Sequence, residues 1–149
     1  MKKHRFLDTL VIQLTVSAII LTLCGCGGGQ PDIHTLPRET KAYESAPVAE
    51  MDQDALIQHL DLLATEMSLA AESGQFAEMH HLELALSKAL AALEPQASPS
   101  AKQIIDTLKV IAVKIHEAGH DQNQSMAATL EATLKAQIAR LEDALASVN

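Results

Sequence analysis

From position 51 onward, apolar residues recur at steps of three and four. One stripe is Leu56, Leu60, Leu63, Met67 and Ala70, and a second is Met79, Leu82, Leu86, Leu90 and Leu93. A third is Ile104, Leu108, Ile111 and Ile115, and a fourth is Met126, Leu130, Leu134, Ile138, Leu141 and Leu145. This spacing puts each set on one side of a helix, so the pattern predicts four amphipathic helices of roughly 20 residues each. Between the stripes stand Ala, Glu, Gln and Lys, which are strong helix formers. Four helices with short loops can bury their stripes together around one core; pairing of the stripes between chains, as a dimer of hairpins, is the alternative. The expected fold is all-α, an up-down-up-down four-helix bundle over residues 51–149. About 100 residues is enough for an independent domain.

The interruptions have chemical causes. Asp52 is placed to cap the first helix, and "ESGQ" at 72–75 breaks it at Gly74. "EPQASPS" at 94–100 ends the second. Pro99 can open the third behind a Ser98 cap, with Ser100 and Gln103 as an alternative capping box. "GHDQNQS" at 119–125 divides the third helix from the fourth and offers Asp121, Asn123 and Ser125 as caps. The two halves also align without a gap at an offset of 48, Leu60–Glu94 against Leu108–Glu142, with turn on turn and nine of 35 positions identical, among them Glu83 and Glu131. The bundle therefore reads as two similar helical hairpins.

Ahead of residue 51 the periodicity disappears. Residues 27–50, "GGGQPDIHTLPRETKAYESAPVAE", are broken by Gly and Pro and read as a flexible tether in which His34 and Arg38 are solvated. Residues 1–25 begin with Lys2, Lys3 and Arg5 and continue with the apolar run "LVIQLTVSAIILTL". The run is shorter than the roughly 20 residues a bilayer-spanning helix needs. Basic start, short apolar centre and small residues at the break make a secretory signal peptide.

The break itself, "LCGC", resembles the lipobox of bacterial lipoproteins, with Leu23 at −3, Gly25 at −1 and Cys26 at +1. The resemblance covers the export signal and implies cleavage before Cys26 and lipidation (palmitate included) of Cys26. Gly27 stands where an Asp would hold such a protein at the inner membrane. The implied location is the outer membrane, facing the periplasm, with the membrane as partner through the lipid and an envelope protein as partner of the helical domain. On that reading Cys24 leaves with the signal and Cys26 is modified. The mature domain then has no thiol for nucleophilic catalysis, zinc ligation or haem attachment.

Charge sharpens the picture. The whole chain carries a formal charge of −8, and removing the signal leaves it more acidic, near −10. Of the aromatics only Tyr43 and Phe76 remain. Acidity repels phosphate backbones, and bases find no stacking platform, so nucleic acid is not an expected partner.

The segment "FAEMHHLELALSKALAAL" is similar to stretches of small exported helical proteins of proteobacteria that have no assigned function. The topology is similar to that of the cytochrome b562-like bundles. Their pattern implies axial haem ligands from a Met near the start of helix 1 and a His near the end of helix 4. Met51 would take the first place, but the fourth helix holds no His, so no haem or other organic cofactor is expected.

"HEAGH" at 116–120 matches the His-Glu-x-x-His spacing of zinc proteases, which would make His116 and His120 ligands and Glu117 the base. The match covers five residues, falls in the last turn of the third helix, and has no recognisable third ligand after it. No catalytic residue is assigned. In an up-down-up-down bundle the first and third turns share one end, which gathers His80 and His81 with His116 and His120, near Met67, Met79 and Met126. Imidazole suits Zn, Ni and Cu, and thioether suits Cu. At about 100° per residue, however, His80 and His81 point roughly 120–140° from their stripe, and His116 and His120 roughly 80° and 120° from theirs. That predicts flank or surface positions, no buried ligand set, and no inward-facing acid or base. His59 is expected on a flank, structural or solvated. The leading expectation is a non-enzymatic envelope lipoprotein whose bundle is a binding or structural module. The alternative is a periplasmic Zn, Cu or Ni binder using the His-rich end, and a zinc hydrolase at HEAGH stands behind both.

Overall fold

The computed structural model describes residues 38–146. The expected signal peptide, Cys26 and the tether as far as residue 37, His34 included, lie outside the described residues. Four helices follow one another: α1 (Gln53–Glu72), α2 (Phe76–Leu93), α3 (Pro99–His120) and α4 (Gln124–Ala146). Each packs on two neighbours, α1 on α2, α2 on α3, α3 on α4 and α4 back on α1, which is the four-helix bundle. None of the described helices is long and apolar enough to cross a membrane.

The helix starts are set by short polar side chains. Asp52 accepts from the Ala55 amide at 2.9 Å. Ser98 accepts from the Ala101 amide at 3.3 Å, with Pro99 as the first helical residue. Asn123 accepts from the Met126 amide at 3.1 Å. Each satisfies a backbone N–H that the helix cannot pair internally.

The turns after α1 and α3 are the same turn built twice. After α1 the Gln75 amide donates to Ala70 O (2.8 Å) and the Gly74 amide to Ala71 O (3.3 Å). After α3 the Asn123 amide donates to Ala118 O (3.0 Å) and the Gln122 amide to Gly119 O (3.2 Å). This is the Schellman arrangement, which needs a left-handed residue at its centre. Gly74 (φ 66°) and Gln122 (φ 47°) fill that position, 48 residues apart. The Gln124 side-chain amide also donates to Ala71 O, tying the two turns together at one end of the bundle.

Leu56, Leu60, Leu63 and Met67 of α1 and Met79, Leu82, Leu86, Leu90 and Leu93 of α2 are buried as the periodicity predicts. Each such side chain contributes about 1.5–3 kcal/mol relative to exposure. The later stripes shift by one residue in places. Ile105 rather than Ile104 is fully buried, and Met126 is 44% exposed while Ala127 takes the core position. The small Ala brings the first turn of α4 close to the core, where a Met would hold it away.

Two 3-10 turns, Ala42–Ser45 and Val48–Glu50, lie against α2 and bring Tyr43 into the core. Arg38, expected to be solvated, instead donates to Glu78 Oε2 through Nε (3.1 Å) and Nη2 (2.9 Å). It also donates to both oxygens of Glu44 (3.0 and 2.9 Å). The Tyr43 hydroxyl donates to Glu78 Oε1 at 2.5 Å. Burial and the neighbouring Glu78 push the Tyr43 hydroxyl far above its ordinary pKa, so it remains a donor. The hydrogen bond from Arg38 is the main reason that Glu44 stays below the usual carboxylate range. Glu78 lies in the first turn of α2, where the positive end of the helix dipole favours its charge.

Candidate metal centre

HEAGH forms the last turn of α3, as its position in the sequence predicts. Gly119, by propensity the residue of the motif least suited to a helix, brings it against α2. A Cβ there would lie 3.3 Å from the Phe76 carbonyl oxygen and 3.9 Å from Met79 Cβ. Without a side chain at 119, the end of α3 settles directly on the start of α2. That places His116 and His120 beside His80.

The contacts are close. His80 Nδ1 and His116 Nδ1 are 3.0 Å apart. The His116 and His120 rings have centroids 4.6 Å apart, and the His80 ring meets His120 edge-on at 5.5 Å. One ring nitrogen from each of His80, His116 and His120 lies within 4.8 Å of the other two. A tetrahedral ion with M–N bonds of about 2.0 Å holds its ligand atoms about 3.3 Å apart. The three imidazoles are thus within a small side-chain rotation of a ligand set. His80 is buried, His116 half-buried and His120 exposed, so the site is rooted in the bundle and open at one side.

The expectation of flank positions with no buried ligand is corrected for His80, which is only 9% exposed. The buried arc of α2 is wider than its apolar stripe, taking in Glu78, Met79, His80, Leu82 and Glu83, because α1, α3 and the 3-10 turns all pack on it. The same packing overturns the expectation of no inward acid. Glu83, 7% exposed, has Oε2 3.3 Å from His116 Nδ1 and accepts from Ser87 Oγ (2.8 Å) at Oε1. Sequence reasoning passed over Glu83, although it is one of the identical positions of the two hairpins and stands three residues after His80.

The other singled-out residues fall elsewhere. His81 points from α2 toward the 3-10 turns, with Nδ1 3.6 Å from Glu44 Oε2, outside the group whose nitrogens converge. Glu117 is exposed, next to the ligands in sequence and turned about 100° from His116 and about 60° from His120. Met67 and Met79 are core residues and Met126 is on the surface. Met51 packs against the core. His59 is buried, and its Nε2 finds no hydrogen-bond partner among the described residues. Burial holds its pKa below the ordinary value. Compared with protein-family models, with curated proteins and with solved structures, the chain gives no match.

Proposed function

We propose that this protein binds a transition-metal ion at the turn end of its bundle, through His80, His116 and His120. The observation that carries the reading is the convergence of three imidazole nitrogens from two helices within 4.8 Å. Neutral imidazole is the common ligand for Zn, Ni and Cu, and bundles build such sites from side chains on facing helices. In the wider reading the chain is an exported lipoprotein, anchored through Cys26 at the outer membrane, that presents this site to the periplasm. Its acidity favours cations near its surface. The role proposed is binding, and no residue is assigned a catalytic part.

Equilibrium dialysis of the purified protein against Zn²⁺, Ni²⁺ and Cu²⁺ after chelation tests this. The expected result is about one ion per chain, lost in His80→Ala and in His116→Ala and kept in His59→Ala. Stoichiometric binding that survives both ligand substitutions, or no binding, contradicts it.

A further inference from the structure

Resting on that reading, we infer that Glu83 is the positioning residue of the metal centre: it accepts a hydrogen bond from Nδ1–H of His116 and so turns Nε2 of that ring toward a divalent ion.

The argument starts from what each atom can do. An ionised carboxylate only accepts hydrogen bonds. Any proton between Glu83 Oε2 and His116 Nδ1, 3.3 Å apart, therefore belongs to the nitrogen. The neutral, metal-competent form of His116 is then the Nδ1–H tautomer, and its lone pair is on Nε2. The same Nδ1–H also reaches His80 Nδ1 at 3.0 Å, which places a lone pair on that atom of His80. When an ion takes the His80 lone pair, the proton of His116 needs another acceptor, and Glu83 is already in place. Metal-bound histidines generally donate their second ring N–H to such a carboxylate, which fixes the ring and raises its basicity.

The carboxylate is itself held. Ser87, one turn further along α2, donates to its other oxygen at 2.8 Å. Its side chain is 10% exposed. A carboxylate so placed is not an ordinary surface acid. Its charge favours a dication over a monocation at the same distance, and the imidazole ligands set the class of ion. The site is thus matched to divalent ions of the Zn²⁺, Ni²⁺ and Cu²⁺ class.

Two measurements test this and separate it from the metal reading itself. The first is Zn²⁺ affinity by competition with a chelator, in the wild type and in Glu83→Gln, whose amide keeps the shape and loses the charge. The expected loss is about 10–100-fold, with one ion per chain retained. Unchanged affinity overturns the role of Glu83 while leaving the three-histidine site standing. The second uses the wild type alone, so it holds even if the variant fails to fold. Long-range ¹H–¹⁵N spectra of the Zn²⁺-loaded protein should show His116 protonated at Nδ1 and bound through Nε2. Binding through Nδ1 overturns the inference. Absence of any Zn²⁺ binding by the wild type overturns the metal reading, and this inference falls with it.

Discussion

Glu83 Oε2 stands 3.3 Å from His116 Nδ1, across the seam between α2 and α3, and the opposite seam of the bundle has a matching pair. Ser68 and Glu131 lie 48 positions before His116 and 48 after Glu83, and Ser68 Oγ donates to Glu131 Oε1 across the seam between α1 and α4. One frame of helix, turn and inward carboxylate thus occurs twice. Burial tends to raise the pKa of Glu131, but the hydrogen bonds from Ser68 and Lys135 outweigh it and hold the carboxyl below its usual range. The halves differ in the residues around the carboxylate. Where the second seam has Ala128 and Glu72, the first has His80 and His120. The proposed metal centre falls in one of two equivalent places because only that place has the three imidazoles.

The neighbouring histidines of α2 should therefore behave oppositely. His80→Ala is expected to abolish stoichiometric Zn²⁺ binding. His81→Ala removes only a partly exposed contact with Glu44 and should leave affinity within about twofold, with a stability change below about 1 kcal/mol. Isothermal titration of the two variants checks this. Equal losses would mean that the ligand set differs from the one proposed.

The segment ahead of α1 should matter for folding. Arg38→Ala leaves Glu78, a carboxylate with a 10%-exposed side chain, with the Tyr43 hydroxyl and without its cation. Breaking a buried pair in this way costs about 3–5 kcal/mol, and the partial exposure of Arg38 lowers the expectation to about 2–3 kcal/mol. Urea unfolding of the wild type and variant measures it. The pH dependence follows from Glu44, whose folded pKa is depressed chiefly by Arg38. Its contribution is present above its unfolded value and is lost as pH falls through the folded one, and Arg38→Ala should remove that part of the acid sensitivity.

His59 acts in a higher pH range. Burial depresses its pKa, so the unfolded chain binds the proton more readily. Stability should be full above about pH 6.5, the unfolded value, and decline as pH falls below it. His59→Leu removes a buried nitrogen that has no partner among the described residues. It should raise stability by about 1 kcal/mol near neutrality and flatten the decline below about pH 6.5. Thermal melts across that range report both effects. Unchanged acid sensitivity would place its source in other groups.

At the matched turns, Gly74→Ala and Gln122→Gly should have opposite signs. The first puts a Cβ at φ 66° and 3.2 Å from Gln124 Oε1, for a loss of about 1–2 kcal/mol. The second relieves a left-handed side chain at φ 47°, for a gain of about 0.5 kcal/mol. Chemical denaturation of both variants gives the comparison.

The helices, the Asp52 cap and the matched turns were legible in the sequence, because each depends on residues within a few positions of one another; for the later helices the sequence offered several caps, of which Ser98 and Asn123 are the ones used. The clustering of histidines at one end was legible too, since it follows from chain direction alone. The burial of His80, Glu78 and Glu83 was not. It arises where α3 and the 3-10 turns close over the flank of α2, through Gly119 and Arg38, which are distant in sequence and have no periodicity. An angular count on an isolated helix measures its own stripe and misses what a neighbour covers.

The measurement that tests the metal centre most directly is a thermal melt of the chelated protein with and without Zn²⁺, with bound metal assayed in the same samples. An ion that binds only the folded state adds about 2.7 kcal/mol at a hundredfold excess over Kd. The account predicts a rise of several degrees at about one Zn²⁺ per chain, absent when His116 and His120 are both replaced by Ala. An unchanged melt with no bound metal would contradict it and leave the three imidazoles as the rim of a bundle whose ligand is something else.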